Sequence, residues 1–421
     1  MRTLALLGSE ATWGKRHLLL FCLPLFFIAM AETGMNFIFP LIVVKNGISN
    51  TALGLIMGFS ALIAIGADMI FPQIRQLKHW KALLLCGIVL ALFFPLLTLG
   101  GVITGTVVLF LAASISWFIF YELIMMSQQA FVVGDDKAKA YSKDWGIIYF
   151  AYASASIAGP IIAQTLDAVN TNLALLTMLL FIFFALMFAG LAAFLIQDHH
   201  RLKKVEAPVS PVTYRSEITI FKLFSKRLLP LMVLTTIAFL IEESFWNFGA
   251  LLGDSLQIPK SLNWIILIIF AVPMLVGPLI LSRFSISAGK KHLAIAAVFF
   301  SGAMLALSFF IESIPLLLAS FFLTGIFLSF SGPLSDASES DYLKRLGHSQ
   351  FYLLSLIRVN QSVAYLLAPV LSGILADLLG YKSMFATLGL TSAVIALILL
   401  LVTPKKIHMP QAALHQLEGN R

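Results

Sequence analysis

Apolar residues run along this chain in long, unbroken stretches separated by short polar gaps. Each stretch is about the length, roughly 20 residues, that a helix needs to cross a bilayer core about 30 Å thick. The pattern predicts helices near 18–44, 51–73, 82–99, 107–132, 145–166, 173–196, 228–252, 262–282, 293–311, 315–337, 350–375 and 383–402. A membrane strand would alternate apolar and polar positions over about ten residues, and these runs do not. The expected fold class is all-α, a polytopic membrane protein with twelve transmembrane helices.

Composition agrees with the lipid bilayer as the main solvent. Of 421 residues, 60% are hydrophobic and 11% charged, with a mean hydropathy of +0.96, which lies outside the usage of soluble domains. Lys and Arg stay preferentially on the cytoplasmic side of a membrane. Of the 28 in this chain, the outer gaps hold only Lys45, Lys260 and Lys382, and Arg358 lies within a helix; all the others fall in cytoplasmic gaps and tails. Both termini are therefore expected in the cytoplasm, under a plasma (inner) membrane. The net charge of +8 is accounted for by topology, and nucleic acid is not an expected partner. The first apolar run is too long for a removable signal peptide and lacks its small-residue cleavage site, so it is expected to remain as helix 1.

The longest polar stretch, rich in Lys, Arg and Pro, divides the chain into an N-terminal six-helix bundle (1–197), a cytoplasmic linker loop (198–227) and a C-terminal six-helix bundle (228–421). Internal repeats mark the two bundles as pseudo-symmetric. Glu32-Thr33-Gly34-Met35-Asn36-Phe37 in helix 1 matches Glu243-Ser244-Phe245-Trp246-Asn247-Phe248 in helix 7 at an offset of 211. In helix 5, Ala155, Gly159, Pro160 and Ala163 match Ala364, Ala368, Pro369 and Ser372 of helix 11 at an offset of 209, and Pro72 and Pro278 close helices 2 and 8.

With six plus six helices and a basic central loop, the whole chain resembles the major facilitator superfamily. The small-xxx-Gly-Pro-xx-small pattern around Gly159 and Pro160 is similar to the antiporter motif of that superfamily's drug and proton exporters. Two departures stand out. Ala163 and Gln164 occupy positions where that motif ends in glycines. Pro72-Gln73-Ile74-Arg75-Gln76 lacks the acid and glycines of the family's loop between helices 2 and 3, although a trace survives as Gly277-Pro278-Leu279, Arg283 and Gly289-Lys290-Lys291. The resemblance implies that helices 1, 4, 7 and 10 line a central cavity while 3, 6, 9 and 12 face lipid.

An ionisable group at mid-bilayer is costly and is retained where it faces water or a partner. The expected helices hold few: Glu32, Asp68, Glu122, Glu242, Glu243, Asp336 and Arg358. Glu32 with Asn36, and Glu243 with Asn247, are four apart and share one helical face, near the midplane where repeat-built transporters hold substrate. Glu32, Asn36, Glu122, Glu243 and Asn247 are thus the candidate substrate and proton-binding residues. Trp117, Tyr121, Gln129 and Trp246, with Phe245, are candidate cavity lining suited to lipophilic cations, although aromatic side chains in such helices also serve simply to pack them. Burial disfavours the charged form of a carboxylate, so these glutamates are candidate proton carriers, with Glu242 pointing elsewhere. Helices 2 and 11 adjoin in the resembling family, and Asp68 with Arg358 forms a candidate inner gate; Arg358 paired instead with Asp336 or Glu339 is the alternative. Gly159, Pro160, Ala368 and Pro369 are expected at helix interfaces, where small residues let backbones approach.

Other chemistry finds little support. No histidine pair lies within the membrane, Cys22 and Cys86 form no CxxC, and no phosphate-binding loop, metalloprotease motif or nucleophile elbow occurs. No cofactor or metal is expected. The expected function is secondary active transport of a small solute by a monomer, through proton-coupled efflux of lipophilic or cationic compounds. Uptake of a small nutrient in symport with protons uses the same glutamates, and a non-transporting membrane enzyme or receptor-like relative is the third alternative.

Overall fold

The structure is a computed structural model that describes residues 12–70, 80–133, 141–196, 214–281, 289–343 and 350–404. Its helices are α1 (Thr12–Lys45), α2 (Asn50–Ile70), α3 (Trp80–Ala91), α4 (Phe93–Thr104), α5 (Val107–Val133), α6 (Tyr141–Asp167), α7 (Thr171–Leu195), α8 (Tyr214–Ser255), α9 (Trp264–Leu281), α10 (Lys290–Leu307), α11 (Ile314–Leu343), α12 (Gln350–Leu379) and α13 (Tyr381–Val402). The described residues contain no strand.

These thirteen helices are twelve rods, because α3 and α4 together form the third expected span, Trp80–Thr104. The break between them has a local cause. Pro95 has no N–H to give the Ala91 carbonyl, and the chain tightens at Leu92, whose N–H bonds Val89 O in a three-residue turn at 3.3 Å. Among the described residues, eleven helical segments are long and apolar enough to cross a membrane. The twelfth rod is α6, where the fifth expected span lies; Tyr149, Tyr152, Ser154, Ser156 and Gln164 make it the more polar helix. α8 begins at Tyr214, ahead of the expected start of the seventh span near 228.

Two compact units divide the chain. Unit 1 comprises residues 1–48, 59–203 and 258–264; unit 2 comprises 49–58, 204–257 and 265–421. In unit 1, α1 packs on α6 and α7, and α3 and α4 pack on α5. α7 turns a stripe of Ala174, Met178, Ile182, Ala185, Ala189 and Ala192 inward and exposes Leu176, Leu180, Phe183 and Met187. That is the amphipathic period of a helix with the polar face replaced by lipid-facing side chains. In unit 2, α12 packs on α8 and α10 packs on α11 and α13. Its core is a set of rings around Phe245, which stacks on Phe270 with centroids 4.0 Å apart and meets Phe321 edge-on at 5.2 Å.

Candidate functional site

In unit 1, the candidate residues gather where α1 meets α5 and α6. Glu32 is 5% exposed, and its Oε2 accepts a hydrogen bond from the Tyr152 hydroxyl of α6 at 2.8 Å. Trp117 of α5 stands beside the same carboxylate, its buried Nε1 falling short of sound hydrogen-bond geometry; its ring stacks on Phe94 with centroids 5.9 Å apart. One turn along α1, Asn36 is 8% exposed, and its Oδ1 is buried with no partner among the described residues. Pro40, inside the same helix, cannot supply the N–H that would normally bond the Asn36 backbone carbonyl. Acceptor groups therefore cluster on one face of α1: a carboxylate, an unpartnered amide oxygen, and a backbone carbonyl deprived of its usual donor.

The contact that holds α1 against α6 is built from small residues. A Cβ on Gly159 would come within 2.5 Å of Met30 O and 3.0 Å of the Gly34 nitrogen, so glycine is required for the backbones to approach this closely. Thr33 Oγ1 donates to Ala29 O at 2.7 Å and reaches Ala155 O at 3.4 Å.

Unit 2 repeats this geometry. Ser244 Oγ bonds Leu240 O at 2.7 Å and meets the Ser372 hydroxyl of α12 at 2.8 Å. Thr33 and Ser244 are repeat mates, as are Ala29 and Leu240, whereas their partners Ala155 and Ser372 stand at unmatched positions of α6 and α12; this part of the matched motif packs the first helix of each repeat on the fifth. Asn247 is buried, and its Oδ1, like that of Asn36, has no partner among the described residues. Glu243 is half-buried and engaged in an interaction. Glu242 and Trp246, four residues apart on α8, interact with each other.

The remaining candidates are distributed as follows. Glu122 is buried and Tyr121 half-buried on α5, each with an interaction. Pro160, Ala368 and Pro369 are buried in their helices. Phe245 belongs to the aromatic core of unit 2, which explains its place in the repeat by packing. The side chains of Asp68, Gln129, Asp336, Glu339 and Arg358 lie outside the described residues. Two polar residues escaped the sequence reading: Tyr152, whose role depends on a partner 120 positions away, and Gln128, buried with an unpartnered Nε2. No group of three or more His, Cys, Asp or Glu side chains is placed to hold a metal among the described residues.

A search of curated protein sequences finds no match. Residues 231–416 match the family model of the Major Facilitator Superfamily. In fold, the chain is similar to a POT family transporter solved in complex with a thioalcohol-conjugated peptide, with a TM-score of 0.72 at 14% identity over 94% of this chain and 98% of that one. It is also similar to the nucleoside transporter NupG, with a TM-score of 0.68 at 12% identity over 93% of this chain and 100% of that one. A bacterial homologue of the human lysosomal transporter Spinster, inward-facing and unoccupied, matches with a TM-score of 0.67 at 12% identity over 98% of this chain and 99% of that one. With eleven candidate membrane spans among the described residues the chain is a multi-pass membrane protein; its second half matches the Major Facilitator Superfamily model, and over nearly its whole length it shares the fold of solved transporters.

Proposed function

We propose that the protein is a proton-coupled secondary transporter of the plasma membrane, working as a monomer with both termini in the cytoplasm, that exports lipophilic or cationic compounds by alternating access. The observation that carries this reading is the pairing, in each repeat, of an acidic side chain with a buried asparagine whose Oδ1 lacks a partner among the described residues. A buried acceptor left unpaired costs free energy, and a ligand bearing N–H groups or positive charge removes that cost. Glu32 and Glu243 carry protons, with Glu122 as a third carrier, and substrate competes with the proton for the same carboxylates. Trp117, Tyr121, Gln129 and Trp246 contribute the aromatic and amide lining.

Asp68 and Arg358 form the inner gate in this reading. Exchanging the two charges together should restore a transport rate that either single substitution abolishes; failure of the exchange to restore it would assign Arg358 to another partner.

Vesicles loaded with a pH-sensitive dye test the coupling. Addition of tetraphenylphosphonium under an imposed pH gradient should drive protons opposite to the cation, and the flux should disappear in Glu32→Gln and Glu243→Gln. Uptake is the second reading, favoured by the same unpartnered amides, which suit a polar solute; among proteins of similar fold are one named a nucleoside transporter and one solved with a peptide. Proton movement in the same direction as an added nucleoside or dipeptide would establish symport instead, and no coupled flux with any probe would overturn the proton-carrier role.

A further inference from the structure

The third span shows two faces. Leu83, Leu84, Gly87, Ile88 and Ala91 are buried, and Gly87 lies against Leu123 and Ile124 of α5. Along the other side Lys81, Leu85, Val89 and Phe93 stand four apart and follow one stripe, with Val89 46% and Phe93 48% exposed. An apolar stripe facing lipid is ordinary in a membrane helix. Two features set this one apart: it is hollowed, and it ends in a cation.

Leu85, Cys86, Val89, Leu90 and Phe93 line a groove of about 290 Å³, at the lower end of the volume that ligand pockets have. It straddles the break at Leu92, for Leu85 to Leu90 belong to α3 and Phe93 is the first residue of α4. Four apolar side chains and one thiol offer a ligand no charge and no strong hydrogen bond, so what lies there is itself apolar. From Lys81 to Phe93 the stripe rises about 18 Å at 1.5 Å per residue, close to the ~15 Å of hydrocarbon in one leaflet. It therefore runs from headgroup level to about the midplane.

Lys81 heads the stripe, one turn before Leu85. Its Nζ lies 5.6 Å from the centre of the Trp80 ring, within reach of a cation-π interaction. Trp80 is itself held in place: Phe21 of α1 meets it edge-on at 5.4 Å, and Phe131 of α5 at 5.2 Å. Tryptophan at the end of a span is favoured at the level of the headgroups. A ring fixed there by two neighbours favours positions of the ammonium beside the groove.

We propose that this groove holds an acyl chain of an anionic phospholipid whose headgroup phosphate pairs with Lys81. The occupant must be apolar along the membrane depth and negative at one end only, which is the chemistry of such a lipid. A lipophilic cation, the solute class proposed above, is repelled by Lys81, so the groove is not its route. The site goes beyond the transport reading and depends on neither the substrate nor the coupling ion.

A photoreactive lipid tests it. Full-length protein is placed in phosphatidylcholine nanodiscs containing a small fraction of phosphatidylglycerol with a diazirine on one acyl chain, or the same fraction of diazirine phosphatidylcholine. After illumination, peptide mass spectrometry locates the adducts. Those within residues 85–93 should be about fivefold more abundant with the anionic lipid, the effect of one basic residue near an anionic headgroup. Lys81→Gln should lower them to the phosphatidylcholine level and Lys81→Arg should keep the preference, while Lys290→Gln, at the start of α10, should leave it unchanged. Val89→Trp, which fills the groove, should remove adducts of both lipids from residues 85–93. Equal labelling by the two lipids, a preference that survives Lys81→Gln or is lost in Lys81→Arg, or adducts that persist in Val89→Trp would each overturn the proposal. If Lys81→Gln does not fold, Lys81→Arg and Val89→Trp still decide it. The readout uses no solute and no proton gradient, so its failure is separable from failure of the vesicle experiment.

Discussion

The Tyr152 hydroxyl of α6 donates to Glu32 Oε2 of α1 at 2.8 Å, tying the acidic residue of the first repeat to the helix that carries the Gly159-Pro160 pair. In a site withdrawn from water, that bond holds the carboxylate toward α6. Removing it by Tyr152→Phe is expected to lower the stability of the purified protein by about 0.5–1.5 kcal/mol, in the range of membrane hydrogen bonds. Thermal unfolding of Tyr152→Phe, Glu32→Gln and the double variant should give a coupling term, the two losses together being smaller than their sum.

The unpartnered amides make the opposite prediction for stability. Asn247 contributes a buried Oδ1 with no partner among the described residues, so Asn247→Leu should change stability by less than about 1 kcal/mol or raise it, since no hydrogen bond is lost and an unpaired acceptor is removed. Probe-driven flux should nevertheless fall. A loss of several kcal/mol with unchanged flux would show that Asn247 serves the fold alone.

Gly159 should tolerate no side chain. The added Cβ of Gly159→Ala would press on Met30 O and Gly34 N, and such overpacking costs about 1–3 kcal/mol. Gly190, with nothing within 4 Å of the same position, is the control, and Gly190→Ala should unfold at or above the parent temperature, since alanine favours the helix. Comparison of the two in one detergent reports backbone approach rather than glycine content.

Near the end of α1, Lys45 Nζ lies 3.0 Å from Asp167 Oδ2, with the lysine side chain 40% exposed and the aspartate 1%. Thr171 Oγ1 also donates to Asp167, at 2.7 Å. Because the lysine is well exposed, Lys45→Met is expected to cost only about 1 kcal/mol. Asp167→Ala should cost more, because it removes the acceptor of both bonds. Added salt should narrow the difference between wild type and Lys45→Met in a denaturation series.

What was legible in the sequence was whatever local physics controls. Twelve apolar runs of bilayer length, broken by basic gaps, determined the helices and their number, because a backbone in lipid has no other way to satisfy its polar groups. The Glu-Thr/Ser-x-x-Asn-Phe match pointed to two repeats, and the cost of an ionisable group at mid-bilayer made Glu32, Glu122 and Glu243 candidates. The tertiary structure decided which residues in the matched motif pack and which stay unpartnered. Thr33 and Ser244 proved to be contacts to α6 and α12 and Phe245 a core ring, whereas Asn36 and Asn247 were left with unsatisfied oxygens. Only the fold could join Tyr152 to Glu32 or Asp377 to the start of α2. Those pairings depend on the rotation of each helix about its axis and on neighbours 120 and more than 320 residues distant. A hydrophobic run that is apolar on every face carries no signal for either.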